Sequence, residues 1–152
     1  MRTKQSGGRG FCGIGIFHPK HEVNQGTLWR SAYAFGASFC FTVGPRFRKQ
    51  AADTPDAWKH IPMYRFETVE DLKSHLPFSC PIVGIELHER SRPLHTFTHP
   101  ERACYLLGAE DHGLPANVLE ACHHLVQIDG LRMCLNVAVA GSMVLYDRVS
   151  RS

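Results

Sequence analysis

No run of apolar residues in the sequence approaches the roughly 20 that a membrane-crossing helix needs, so there is no candidate spanning segment. The first ten residues, Met1 to Gly10, are basic and glycine-rich and lack the apolar stretch of a secretory signal. They read as a flexible tail whose Arg2, Lys4 and Arg9 either stay solvated or touch phosphate. None of the six cysteines, at 12, 40, 80, 104, 122 and 134, forms a CxxC pair. Several lie inside apolar runs, so the thiols are expected free and buried, in a reducing cytosol. His18-x-x-His21 and Cys122-His123-His124 have no partner at finger-like spacing, and no metal is expected. Neither charge sign dominates: Lys plus Arg number 17 and Asp plus Glu 14, a net charge of +3 with histidines neutral. Such a balance permits a polyanionic partner without demanding one. There is no internal repeat.

What is present is an ordinary folded composition, 43% hydrophobic and 20% charged over 152 residues. That length suits one domain. The expected layout is the tail over 1–10 and a single domain over 11–152. Short apolar runs predict buried strands at 11–17, 38–43, 81–87, 103–107 and 124–128. Helical patterns fall at 24–35, with Asn24 as cap and Gly36 closing it, and at 68–76, with Thr68 as cap and Asp71 at the box position. Two more are expected, one opening at Pro115 and running to 121, the other over 135–149, apolar almost all round. The stretch from Arg46 to Pro62 is irregular, with Arg46, Arg48, Lys49, Trp58, Lys59 and His60 interleaving cations and rings. It reads equally as a nucleic-acid surface or a solvated loop. Alternating strands and helices predict an α/β fold, a mainly parallel sheet flanked by helices. Gly13-Ile14-Gly15 is not a dinucleotide fingerprint, because His18 stands where the third glycine belongs.

Open α/β sheets bind ligands beyond the carboxyl ends of their strands. Three segments occupy such ends. The first runs from Asn24 to Arg30. Asn24 reads as a cap or a ligand contact, and it shares a site mouth with Arg30 only if the helix begins after it. The second runs from Leu107 to Pro115, where Gly108 and Gly113 frame a turn beside Glu110, Asp111 and His112. A hydrolase cluster of these three is disfavoured, since adjacent turn residues point apart and there is no nucleophile elbow. The third runs from Ile128 through Cys134, Leu135 and Asn136. A polar amide opening an apolar helix needs a partner, which a helix cap or a ligand supplies equally well.

Taken together and in order, N-x-G-x-x-x-R, L-G-x-E-x-x-G-L-P and I-x-G followed by L-N-V-A-V-A resemble the three motifs of the SpoU/TrmH RNA ribose methyltransferases of the SPOUT superfamily. The match spans 24–36, 106–115 and 126–148. The resemblance implies a C-terminal trefoil knot (the SPOUT fold), S-adenosylmethionine as cofactor, a homodimer, and methylation of a ribose 2′-hydroxyl in tRNA or rRNA. It implies that Arg30 is the catalytic residue, either a base activated by RNA phosphate or an electrostatic stabiliser of the alkoxide. Asn24, Glu110 and Asn136 would complete the catalytic set. Backbone groups of Leu87, Gly108, Ile128 and Leu135 would hold the cofactor. A compact chain resembles the wobble-position tRNA members. Two positions depart from the family: Cys134, whose thiol is a weaker donor than a hydroxyl, stands for the usual serine, and Asp129 for the usual proline, which leaves the loop less stiff or puts a carboxylate near the cofactor's amine. The Cys134 departure keeps open a second reading, a catalytically weak RNA-binding dimer on the same fold.

Overall fold

The computed structural model describes residues 10–45, 60–109 and 112–151. Its sheet has seven strands: β1 (Phe11–Phe17), β2 (Phe39–Val43), β3 (Met63–Phe66), β4 (Ile82–Ile85), β5 (Arg92–Pro93), β6 (Arg102–Gly108) and β7 (His124–Gln127). They lie in the order β3-β2-β1-β6-β4-β7-β5. Every pairing between them is parallel. The expected α/β sheet is thus present and is wholly rather than mainly parallel.

Parallel sheets bury both faces, which is why the central strands read as unbroken apolar runs rather than alternating ones. Helices α1 (Glu22–Ala34) and α4 (Val137–Ser150) cover one face. Beneath them Ile14, Ile16, Leu28, Trp29, Val144 and Leu145 form one core. Helices α2 (Val69–His75) and α3 (Ala116–Ala121) lie over the other core, with Phe39, Phe41, Leu72, Leu106 and Val118. Gly13 and Gly15 have a packing role here: a Cβ on either would fall 2.1 Å and 2.4 Å from the rings of Phe39 and Phe41. The two glycines make room for aromatic rings of the neighbouring strand, not for a dinucleotide.

Local chemistry sets the element ends. Thr68 accepts a hydrogen bond from the Asp71 amide, and Asp71 accepts one from the Glu67 amide, one residue before the cap. Gly36 follows α1 at φ +78°, a left-handed position that glycine takes without steric cost. Pro115 is the cap of α3 rather than its first residue. Helix α1 begins at Glu22, with His21 as cap and no side-chain cap bond, so Asn24 is not the cap expected of it. Strands β3 and β5 had no counterpart in the sequence reading. β3 is an edge strand with Tyr64 and Arg65 exposed, and β5 is two residues long and contains a proline. The residues 1–9 and 46–59, with most of the cations read as either solvated or touching phosphate, lie outside those described.

The far end of α4 is pinned to β6 by a polar chain. Arg148 donates to the Tyr105 hydroxyl at 3.1 Å and to the carbonyls of Pro100 and Glu101. His99 bridges Tyr105 at 2.6 Å and Asp147 at 2.6 Å. The consistent assignment has Tyr105 donating to Nδ1 and a neutral imidazole donating from Nε2 to Asp147. Burial lowers the His99 pKa, as do Arg151 and Arg148, against the opposing pull of Asp147.

Candidate functional site

A cleft of about 890 Å³ opens where β4, β6 and β7 end. Its floor and walls are the residues that follow those strands. Leu87 follows β4 and is exposed, Gly108 ends β6, Ile128 follows β7, and Leu135 lies on the way to α4. All four expected cofactor residues line this one cleft. Its size and its mix of apolar side chains with a few polar groups suit a nucleoside-sized ligand.

The segment after β6 folds back on itself. Gly113 donates to the Ala109 carbonyl at 3.1 Å, and the two residues form an isolated antiparallel bridge. A Cβ on Gly108 would fall 2.4 Å from the Gly113 carbonyl carbon. Glycine at 108 is therefore required by the loop's own closure. Gly113 has φ +60°, and a Cβ there would fall 2.2 Å from a carboxylate oxygen of Glu86. His112 lines the cleft and is exposed, whereas Glu110 and Asp111 lie outside the described residues.

Glu86 was not singled out in the sequence, where it sat inside a strand expected to run through Leu87. The strand ends at Ile85, which puts this carboxylate at the strand exit. Its Oε2 accepts from the Leu114 amide at 2.7 Å and its Oε1 from the Leu87 amide at 3.0 Å. An ionisable residue closing an otherwise apolar strand was the available signal.

Asn136 resolves its two readings in favour of a cap. Its Oδ1 accepts from the amides of Ala138 at 2.8 Å and Val139 at 3.3 Å. The same side chain donates from Nδ2 to Asn24 Oδ1 at 2.7 Å, joining two segments far apart in sequence. One face further along, Ser142 donates to Ser31 at 2.7 Å. The neighbours of Asn136, Leu135 and Val137, line the cleft, so the asparagine pair stands at its rim.

Arg30 is exposed and lies six residues beyond Asn24 in α1. Because the helix starts before Asn24, six residues carry Arg30 about 9 Å down the axis and about 120° around it. The two therefore do not share a face, and the condition for a common mouth within one chain is not met. Among the remaining cleft residues, Cys134 is the exposed one of the six free cysteines; Cys12, Cys40, Cys80 and Cys104 are buried and Cys122 is half-buried. Burial pushes the Cys40 thiol up to about 12. Asp129 lies 3.4 Å from the His95 ring in the turn after β5. His123, from the Cys-His-His run, accepts from the Ile82 amide at 3.0 Å.

A parallel sheet with a ligand-sized cleft beyond its strand ends is the arrangement in which open α/β domains bind small molecules. The chain belongs to the SpoU rRNA Methylase family, which it matches over residues 13–146. It is 30% identical over 134 residues to the 23S rRNA (guanosine-2'-O-)-methyltransferase RlmB of Acinetobacter baylyi, covering 82% of this chain and 53% of that protein. It superposes on the AdoMet-bound rRNA methyltransferase of Sinorhizobium meliloti with a TM-score of 0.80 at 24% identity, covering 93% of this chain and 57% of that one. A structure described as giving insight into 2-OH methylation of C/U34 on tRNA superposes with a TM-score of 0.76 at 22% identity, covering 93% and 91%. The chain thus spans little more than half of the first two relatives.

Proposed function

We propose that this chain transfers the methyl group of S-adenosylmethionine to a ribose 2′-hydroxyl of tRNA or rRNA. The observation that carries the reading is the convergence of Leu87, Gly108, Ile128 and Leu135 on one cleft beyond the strand ends. Membership of the SpoU rRNA Methylase family supports it. The cleft's exposed backbone and apolar walls suit an adenosine moiety. When bound, the cofactor supplies an activated methyl on a sulfonium.

The chain's part is to hold the acceptor in line with that methyl and to deal with the hydroxyl proton. The Asn24–Asn136 bond fixes the rim where the ribose would enter. Arg30 would act either as a base activated by the bound RNA phosphate, taking the hydroxyl proton, or as a charged group that stabilises the developing alkoxide. Glu110 would support the same site from the loop after β6. Leu87, Gly108, Ile128 and Leu135 would hold the cofactor, whose loss of the methyl to the ribose oxygen would leave S-adenosylhomocysteine in the cleft.

A homodimer belongs to this proposal. Val139, Met143 and Tyr146 form an exposed stripe on α4, and with Thr27 of α1 and Phe35 just after it they line a mostly apolar groove of about 500 Å³. A second copy of the chain would cover it. The same pairing would bring Arg30 of one protomer toward a partner's cleft. The proposal also includes the single domain over 11–152, threading of the C-terminal segment into a knot, and action in the cytosol. No helix among the described residues is long and apolar enough to cross a membrane.

The test is calorimetric titration with S-adenosylmethionine and S-adenosylhomocysteine, then labelled-methyl transfer into total tRNA and rRNA. Arg30→Ala is expected to abolish transfer and leave cofactor Kd nearly unchanged. Loss of both together would refute its assigned role. RNA binding without cofactor binding would favour the RNA-binding dimer.

A further inference from the structure

Glu86 has no place in the chemistry above, yet it touches both walls of the cleft. One oxygen holds the Leu87 amide on the β4 wall, and the other holds the Leu114 amide on the β6 wall. Those amides belong to different loops, which no ladder hydrogen bond between strands connects at this point. A charged acceptor makes stronger hydrogen bonds than a neutral one. Gly113 answers the same contact from the other side. Its positive φ turns the Leu114 amide toward the carboxylate, and its missing side chain leaves room for the contact, since a Cβ would fall 2.2 Å from the Glu86 oxygen.

We propose that Glu86 is a positioning residue for the cofactor cleft, a carboxylate clamp that fixes the spacing between Leu87 and the Gly113–Leu114 turn. The inference rests on the proposed use of the cleft for S-adenosylmethionine. Glu86 does not take part in methyl transfer. It acts through the backbone it holds, and Glu86→Gln keeps its size while removing its charge and one of its two acceptors.

The experiment measures S-adenosylhomocysteine binding by calorimetry and the Leu114 amide resonance by NMR, in wild type, Glu86→Gln, Gly113→Ala and the double variant. In wild type the Leu114 proton resonates downfield, as expected for a bond to a carboxylate. Glu86→Gln moves it upfield and raises Kd about tenfold, the scale of one hydrogen bond to a charged acceptor, with binding stoichiometry unchanged. Gly113→Ala keeps the carboxylate but displaces the turn, so it moves both readouts in the same direction. The double variant binds no more weakly than the worse single one, because both changes break one contact.

Unchanged Kd in Glu86→Gln with a shifted Leu114 resonance would overturn the proposal, and so would additive losses in the double variant. If Glu86→Gln did not fold, Gly113→Ala would decide alone: Kd and resonance must move together. Glu120→Ala, exposed on α3, is the control that moves neither. Failure of the wild type to bind S-adenosylhomocysteine would instead overturn the proposed function, and with it the cofactor part of this inference. The Leu114 resonance would then still report whether Glu86 holds the turn.

Discussion

Replacing Asn136 with alanine removes two things at once, and the structure allows them to be separated. The first is the cap on α4, with the side-chain oxygen serving the Ala138 and Val139 amides. Loss of such a cap costs about 1 kcal/mol, within a range of roughly 0.5–2. The second is the bond from Nδ2 to Asn24. Asn136 is exposed and Asn24 half-buried, so water can replace the lost donor, and this bond contributes about 0.5 kcal/mol, the low end for a net hydrogen bond. Asn136→Ala should therefore destabilise the fold by about 1.5 kcal/mol. For a chain of this size that is a fall in Tm of roughly 3–6 °C. Asn136→Asp keeps a capping oxygen, and its charge suits the helix N-terminus. It loses the Asn24 bond alone and should unfold within about 0.5 kcal/mol of wild type. Urea titrations of the two variants measure the difference directly. Equal stability losses in the two would refute the division, because the cap would then contribute nothing.

Three further outcomes follow from the packing. Gly141→Ala in α4 would set a Cβ 2.4 Å from Leu28 Cδ1, and overpacking should exceed the gain in helix propensity, destabilising the chain by about 1–2 kcal/mol in urea titration. His99 has a lowered pKa because it is buried neutral, so unfolding takes up protons below its ordinary value near 6.5. Burial pushes Asp147 up, but its hydrogen bonds to Arg151 and His99 outweigh this and hold it below the usual carboxylate value. Both stabilising contributions are present above the unfolded-state values and are lost as pH falls through the folded ones. Thermal melts should therefore show Tm falling from pH 7 toward pH 5, and His99→Gln should flatten that slope. Native protein treated with a thiol reagent should give one fast equivalent, from Cys134, with half-buried Cys122 slower because burial raises its pKa to about 11, and the four buried thiols reacting only on unfolding.

The parts of this fold legible in the sequence were those with a strong local signature. Phe11–Phe17 reads as a strand to the residue, because seven apolar or small residues can only be buried between two layers. The end of α1 was readable from Gly36 and the start of α2 from Thr68, since single residues decide both. The start of α1 was not. Asn24 has the chemistry of a cap, but its partner is Asn136, and no local rule reports a bond between segments so far apart. β3 escaped because an edge strand exposes Tyr64 and Arg65, so its pattern is weak. The four cofactor positions were named through family resemblance, and the cleft gathers them. Glu86 was hidden by an overlong strand, since its role depends on where β4 stops.

The strand order also bears on how the chain is made. β1 lies in the interior of the sheet, beside the central strand β6, and is made before the other six strands. One edge is paired with β2, which follows one helix later, but the other pairs Phe11 with Arg102 and Phe17 with Gly108. Until β6 has left the ribosome, β1 presents a row of unpaired amides and carbonyls along a strongly apolar strand. Such pairings close slowly, because a long loop must be ordered before the contact forms. An interrupted or stalled chain that stops short of Gly108 carries an open edge suited to pairing with another copy of itself.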